Sequence, residues 1–211
     1  MVLAGRRAAP LEELARGTDD RTTPFDATNV AAVEAGFRGL PPLDAVVNLA
    51  GSILLKPAHL TSEVDFELTI AQNLRSAFAV VRAAGLTMRE RGGSVVLLSS
   101  CAASVGLANH EAIAAAKAGV EGLTRSAAAT YAPNRIRFNA IAPGLVDTPL
   151  AERITRSESA LKASVAMHPL GRIGTPDDIA RAIAFLVDPA NDWITGQVIG
   201  VDGGLARVRG R

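Results

Sequence analysis

Val95-Val96-Leu97-Leu98-Ser99-Ser100-Cys101-Ala102-Ala103-Ser104-Val105-Gly106, followed closely by Ala112-Ile113-Ala114-Ala115-Ala116-Lys117-Ala118-Gly119-Val120, is the stretch on which the fold turns. The unbroken apolar run before Ser99 suits a strand buried on both faces, as in a parallel sheet covered by helices. A pair of hydroxyls closes the strand. An alanine-rich segment, a strong helix former, then carries one lysine.

Outward from this stretch, strand-like runs alternate with helix-like segments. That alternation predicts an α/β fold, a Rossmann-like doubly wound parallel sheet with helices on both faces. Towards the N-terminus, Val2-Leu3-Ala4, Thr23 to Asp26 and Ala45-Val46-Val47-Asn48 read as strands. Between them, Pro10 to Arg16 reads as a helix opened by proline and Val30 to Phe37 as a second helix. A long helical region fills Ser62 to Arg91 until Gly92-Gly93 breaks it. Towards the C-terminus, His110 to Tyr131 is a helix stopped at Pro133-Asn134, and Ile136 to Ala140 alternates as a strand does. Thr175 caps a helix to Leu186, with Pro176 at its first position, and Val198 to Val201 forms a last strand. Asp147 to Met167 offers no distinctive anchor. With no repeat and no low-complexity linker, residues 1–211 read as one domain.

Hydrophobic residues make up 48% and charged residues 20%, an ordinary globular balance. A net charge of +1 gives no argument for nucleic acid or an anionic membrane as partner. His59, His110, His168 and the single Cys101 are scattered, so no metal-ligand spacing is present. One cysteine excludes an intramolecular disulfide framework and fits a reducing, cytoplasmic compartment. No apolar run approaches the ~20 residues that span a bilayer, and Met1 to Arg7 holds no signal-peptide core.

From Val2 to Gly204 the chain resembles the short-chain dehydrogenase/reductase family. In that family the second serine of the strand-end pair, a tyrosine thirteen residues on and a lysine four residues later do the chemistry. Ser100 and Lys117 keep this spacing, but Ile113 replaces the tyrosine. Asn48-Leu49-Ala50-Gly51 resembles the family's Asn-Asn-Ala-Gly turn, and Asn73 matches the helix asparagine that holds a water in its proton relay. Asn139 to Gly144, with Val146 and Thr148, resembles the loop that cradles the nicotinamide; Pro143 and Gly144 lie at its tip. Gly196 to Gly204 resembles the C-terminal signature.

The resemblance implies a carbonyl/alcohol oxidoreductase with a small-molecule substrate. Tyrosine, pKa ~10, acts near neutral pH only if a cation favours its phenolate, and a lysine one helical turn on supplies that cation. The serine would hold the substrate oxygen and Lys117 the nicotinamide ribose. Ile113 has no proton to give. Either Ser100 and Lys117 are relics, or another group substitutes; His110, three residues earlier, is the candidate acid, with Glu111 pointing further off. Tyr131, the sole tyrosine, is expected to pack rather than react.

An acidic residue that selects NAD in the family is replaced by Gly5, followed by Arg6 and Arg7. Guanidinium groups suit a 2′-phosphate, so NADP is expected over NAD. Asp26-Ala27 matches the pair placed against adenine. The chain starts at the equivalent of the family's second strand, and no Gly-x-x-x-Gly-x-Gly turn occurs in it. The expected consequence is a gap in the sheet, unless the first two strands shift to close it. An NADP-linked oxidoreductase, impaired at Ile113, is the leading expectation. A non-catalytic nucleotide- or ligand-binding protein and an oligomeric scaffold are the alternatives. A homotetramer or homodimer is expected, with Ala114, Ala118 and Gly122 on one face of the His110–Tyr131 helix.

Overall fold

The computed structural model describes residues 1–209. Among the described residues there are six strands, and every pairing between them is parallel: β1 (Val2–Gly5), β2 (Arg21–Pro24), β3 (Ala45–Asn48), β4 (Gly93–Leu98), β5 (Ile136–Pro143) and β6 (Val198–Val201). They form two ladders, β1-β2 and β3-β4-β5-β6. The first two strands have therefore not moved across to pair with β3. The ladders are joined instead through helices α2 (Val30–Arg38) and α4 (Ser76–Thr87), which pack together and share the Glu34–Arg82 ion pair.

β4 shows why its apolar run reads as a central strand. Val95 and Leu97 enter one core with Phe138 and Ala140 of β5, Val120 and Ala127 of helix α5 (Glu111–Tyr131), and Val33 of α2. Val96 faces the other way, joining Ile141, Ile179 and Leu186, the last two from helix α8 (Pro176–Val187). Period-two alternation thus feeds two cores at once. Each fully buried aliphatic side chain contributes about 1.5–3 kcal/mol.

Local chemistry sets the helix boundaries. Thr175 caps α8 through a reciprocal box with Asp178, and Pro176 occupies the first turn. Helix α1 (Ala8–Ala15) begins two residues before Pro10, which still lies in the turn whose N–H groups have no intrahelical partner. The long region from Ser62 is helical without a break from Glu63 to Thr87, four residues short of Arg91, and a π turn interrupts its α geometry. It divides into α3 (Glu63–Ile70), a π turn at Ala71–Arg75 and α4, which ends at Thr87. The segment without a sequence anchor folds into two further helices, α6 (Glu152–Thr155) and α7 (Glu158–Met167), the latter capped by Ser157. Among the described residues no helix is long and apolar enough to cross a membrane, and no His/Cys/Asp/Glu cluster could hold a metal.

Candidate active site

In a parallel α/β sheet, ligands gather at the carboxyl ends of the strands. Asn48 ends β3, Ser99 and Ser100 follow β4, and Pro143 ends β5. Gly5 ends β1, on the separate ladder, with Arg6 and Arg7 next to it.

Asn48 is buried, and its side-chain Oδ1 accepts the Ala50 N–H at 3.2 Å, fixing the turn that carries Gly51. A Cβ on Gly51 would lie 3.0 Å from Asn73 Oδ1 and 3.5 Å from Lys117 Nζ, so the turn runs tightly against both side chains. Asn73, 1% exposed, stands in the π turn, a feature frequent at functional sites. Its amide donates to Thr69 O at 2.9 Å and Ser52 Oγ at 3.0 Å, and its Oδ1 accepts the Ser52 N–H at 3.2 Å. Both amide protons are thereby committed to the protein. Asn73 clamps the 50–53 loop to the helix, a structural task beyond the water-holding role implied by the family resemblance.

Lys117 is buried one helical turn after Ile113, which is itself only 5% exposed. The lysine Nζ donates to Leu98 O at 2.8 Å, anchoring α5 to the end of β4. Burial pushes its pKa down to about 8, because the ammonium leaves water with no carboxylate to compensate. Ser99 Oγ lies 3.0 Å from Glu121 Oε1 and 3.2 Å from Lys117 O, its single hydroxyl proton shared between the two acceptors. Ser100 is half-buried and accepts the Ala102 N–H at 3.2 Å, which leaves its hydroxyl proton available for a ligand oxygen.

The loop after β5 is pinned at both sides. Gly144 N–H donates to Val201 O, Leu145 O accepts from Gly174, and Val146 bridges to Gly174. Thr148 Oγ1 donates to Val146 O at 3.4 Å. Near β1, the Asp26 carboxylate accepts the Thr28 N–H and hydroxyl, each at 2.8 Å. Those two bonds hold its pKa below the usual carboxylate range, with the Arg6 charge a smaller contribution. Arg6 and Arg7 are exposed, and Ala27 is half-buried.

His110 heads α5 without capping it; its Nδ1 lies 2.7 Å from Ala108 O. Tyr131 packs in the core, tilted 36° against Phe138 with ring centroids 5.5 Å apart, and lies where a Cβ on Gly85 would fall. Cys101 is buried, which pushes its thiol up to about 11 and makes it a poor nucleophile. Three elements went unread in the sequence: the π turn, Glu121 behind Ser99, and buried His168 under the β5 loop. Glu121 lies four residues after Lys117, a spacing that places both on one helix face. Nothing in the local pattern marks His168.

Residues 2–206 match a family model described as enoyl-(acyl carrier protein) reductase. The chain is 38% identical over 166 residues to the 3-oxoacyl-[acyl-carrier-protein] reductase FabG of Thermotoga maritima. That match covers 77% of this chain and 66% of the relative, just under two thirds of its length. Among solved structures, it superposes on a short-chain type dehydrogenase/reductase from Mycobacterium ulcerans with TM-score 0.91 and 32% identity, covering 99% of this chain and 81% of that one. A gluconate 5-dehydrogenase from Burkholderia cenocepacia, in complex with NADP and tartrate, gives TM-score 0.93 at 27% identity, covering 99% and 86%.

Proposed function

Because this chain belongs to the short-chain dehydrogenase/reductase family, whose members bind NAD(P), we propose that it is an NADP-linked oxidoreductase of a carbonyl/alcohol pair, impaired in turnover by Ile113. The observation that carries the proposal is the convergence of Gly51, Asn73 and Lys117: a glycine at close approach, a clamped amide and a buried ammonium.

These residues fit the nicotinamide-ribose end of a dinucleotide. Lys117 Nζ spends one proton on Leu98 O, and an ammonium has two more for ribose hydroxyls. The loop Pro143, Gly144, Val146 and Thr148 is held rigid enough to present backbone groups to an amide. Asn48 and Ala50 set the turn against which the ring would lie. At the adenosine end, Arg6 and Arg7 supply cations for a 2′-phosphate beside Asp26 and Ala27. When bound, the dinucleotide would serve as the hydride donor or acceptor for these residues. Ser100 then orients the substrate oxygen through its free hydroxyl proton. No side chain at position 113 delivers a proton to that oxygen, and a positioned acid is typically worth about 10²–10⁴-fold in rate.

The arrangement suits a homo-oligomer as well, through the exposed small-residue face of α5. Ala115, Ala118 and Gly122 form that face, whereas Ala114 is half-buried and lies at its margin.

Calorimetric titration with NADPH tests the binding half of this proposal, and a screen of carbonyl substrates tests the chemistry. Saturable NADPH binding with slow reduction is expected. Binding with no reduction of any carbonyl would identify a nucleotide-binding protein instead, and no binding would overturn the proposal.

A further inference from the structure

His168 is 3% exposed and lies outside the catalytic residues described above. It follows α7 directly, and its ring stands between two segments that share no ladder. On one side Nδ1 lies 2.7 Å from Ser164 O, on the last turn of α7. On the other, Nε2 accepts the Leu145 N–H at 3.2 Å, in the loop after β5. A carbonyl can only accept and a backbone N–H can only donate, so the two contacts admit one form of the ring, with its proton on Nδ1.

The fit around the ring is tight. A Cβ on Gly144 would fall 2.5 Å from Nε2, so only glycine lets the loop come this close. Gly203, at φ +60°, packs over Cδ2 from the turn after β6. Beyond the ring lies a cavity of about 350 Å³ whose lining includes Leu145, Asp202, Arg172 and Arg181. Arg172 is already engaged by Asp178 through two hydrogen bonds, at 2.7 and 3.0 Å. Asp202 is taken by the Gly204 and Ala206 N–H groups, each at 2.9 Å. Arg172 and Asp202 are thus occupied, and His168 is the side chain that bonds both the loop and the helix.

We propose that His168 is a positioning residue that couples the Pro143–Thr148 loop to helix α7, so that a nucleotide held by the loop also steadies the helix. The second half of this statement rests on the nucleotide-binding proposal above; the coupling itself does not. Both partners are backbone groups, so the coupling depends on the ring alone. Loss of the ring releases the Leu145 N–H while Gly144, Leu145 O and Val146 stay held by Val201 and Gly174, and the same ring carries that local release to Ser164 and the α7 C-terminus.

Hydrogen–deuterium exchange on the full chain, without and with saturating NADPH, tests this. Two variants divide the ring's contacts. His168→Gln keeps an acceptor where Nε2 stood, and His168→Asn keeps a donor where Nδ1 stood. Without nucleotide, His168→Asn is expected to raise exchange at the Leu145 amide at least tenfold, while His168→Gln stays within about threefold of the unmodified chain. Amides of β4 should be unchanged in both, which separates local release from general destabilisation. With NADPH, protection should spread into residues 158–167 of the unmodified chain and be lost in both variants. Equal Leu145 exchange in all three proteins overturns the coupling whether or not nucleotide binds. Protection of α7 that persists in both variants overturns it too. Absence of NADPH binding overturns the nucleotide proposal and the α7 response that depends on it, while the Leu145 result still decides the coupling.

Discussion

Replacing Lys117 with methionine should stabilise this fold at neutral pH. The ammonium is 8% exposed, and burial lowers its pKa from the ordinary 10.5 to about 8. That difference corresponds to about 3 kcal/mol of unfavourable desolvation. Methionine has similar length and no charge, so it removes this cost. It also removes the Lys117–Leu98 hydrogen bond, worth about 1 kcal/mol net. Lys117→Met is therefore expected to gain about 2 kcal/mol, or roughly 4–8 °C in Tm for a chain of this size.

The pH dependence fixes the cause. The folded-state pKa lies below the unfolded one, so the unfolded chain holds the proton more tightly and stability of the unmodified protein rises with pH between about 8 and 10.5. The variant's advantage should be full below pH 8 and shrink across that window, then reverse to a deficit of about 1 kcal/mol above it, where only the lost hydrogen bond remains. Urea unfolding of both proteins between pH 7 and 10.5, with equal m values, measures this. A destabilised variant at pH 7, or an advantage independent of pH, would refute the argument.

Three further outcomes are expected. Ile113→Tyr should raise carbonyl reduction with NADPH by about 10²–10⁴-fold, despite an overpacking cost of about 1–3 kcal/mol at this buried position; unchanged turnover with intact NADPH binding would contradict the account of Ile113. NADPH should bind more tightly than NADH, and substituting both Arg6 and Arg7 with alanine should equalise the two; equal affinities in the unmodified chain would dismiss these arginines. Light scattering at micromolar concentration should report a dimer or tetramer, and Gly122→Arg should reduce it to smaller species. A Cβ there meets nothing within 4 Å, so a monomeric parent would remove the α5 interface from consideration.

The sequence was most legible where periodicity and burial agree. β4 is read correctly because Val95, Val96 and Leu97 have apolar surroundings on both faces, and α8 because its Thr175–Asp178 box is written in adjacent residues. Within the Ser62–Arg91 region the π turn was less so: Leu and Ala favour a helix throughout, and the turn's Asn73 bonds Ser52, twenty-one residues away. α7 was missed because its hydrophobic pattern is weak and its position depends on a serine cap and on His168. At the candidate site, the family resemblance singles out Ser100 at a strand end and Lys117 on the following helix, where the structure places them, whereas the engagement of Asn73 and the close approach of Gly51 are properties of segments meeting in space.

Lys117 and Ile113 together separate two roles that usually travel as one. A lysine kept solely to favour a neighbouring phenolate has no work to do beside a hydrocarbon. A purely structural lysine is also a poor choice here, since a buried ammonium without a carboxylate costs more than a hydrogen bond to Leu98 O returns. A ligand that uses its spare protons, as in the nucleotide proposal above, would account for the lysine. Residues that lower stability without a structural return mark functional sites, and this one lies 3.5 Å from where a side chain on Gly51 would begin. The combination favours a site built first to bind, with proton delivery as a separable attribute. Nucleotide affinity should therefore fall in Lys117→Met even as the fold becomes more stable, and that opposition is the sharpest distinction between a working site and a relic.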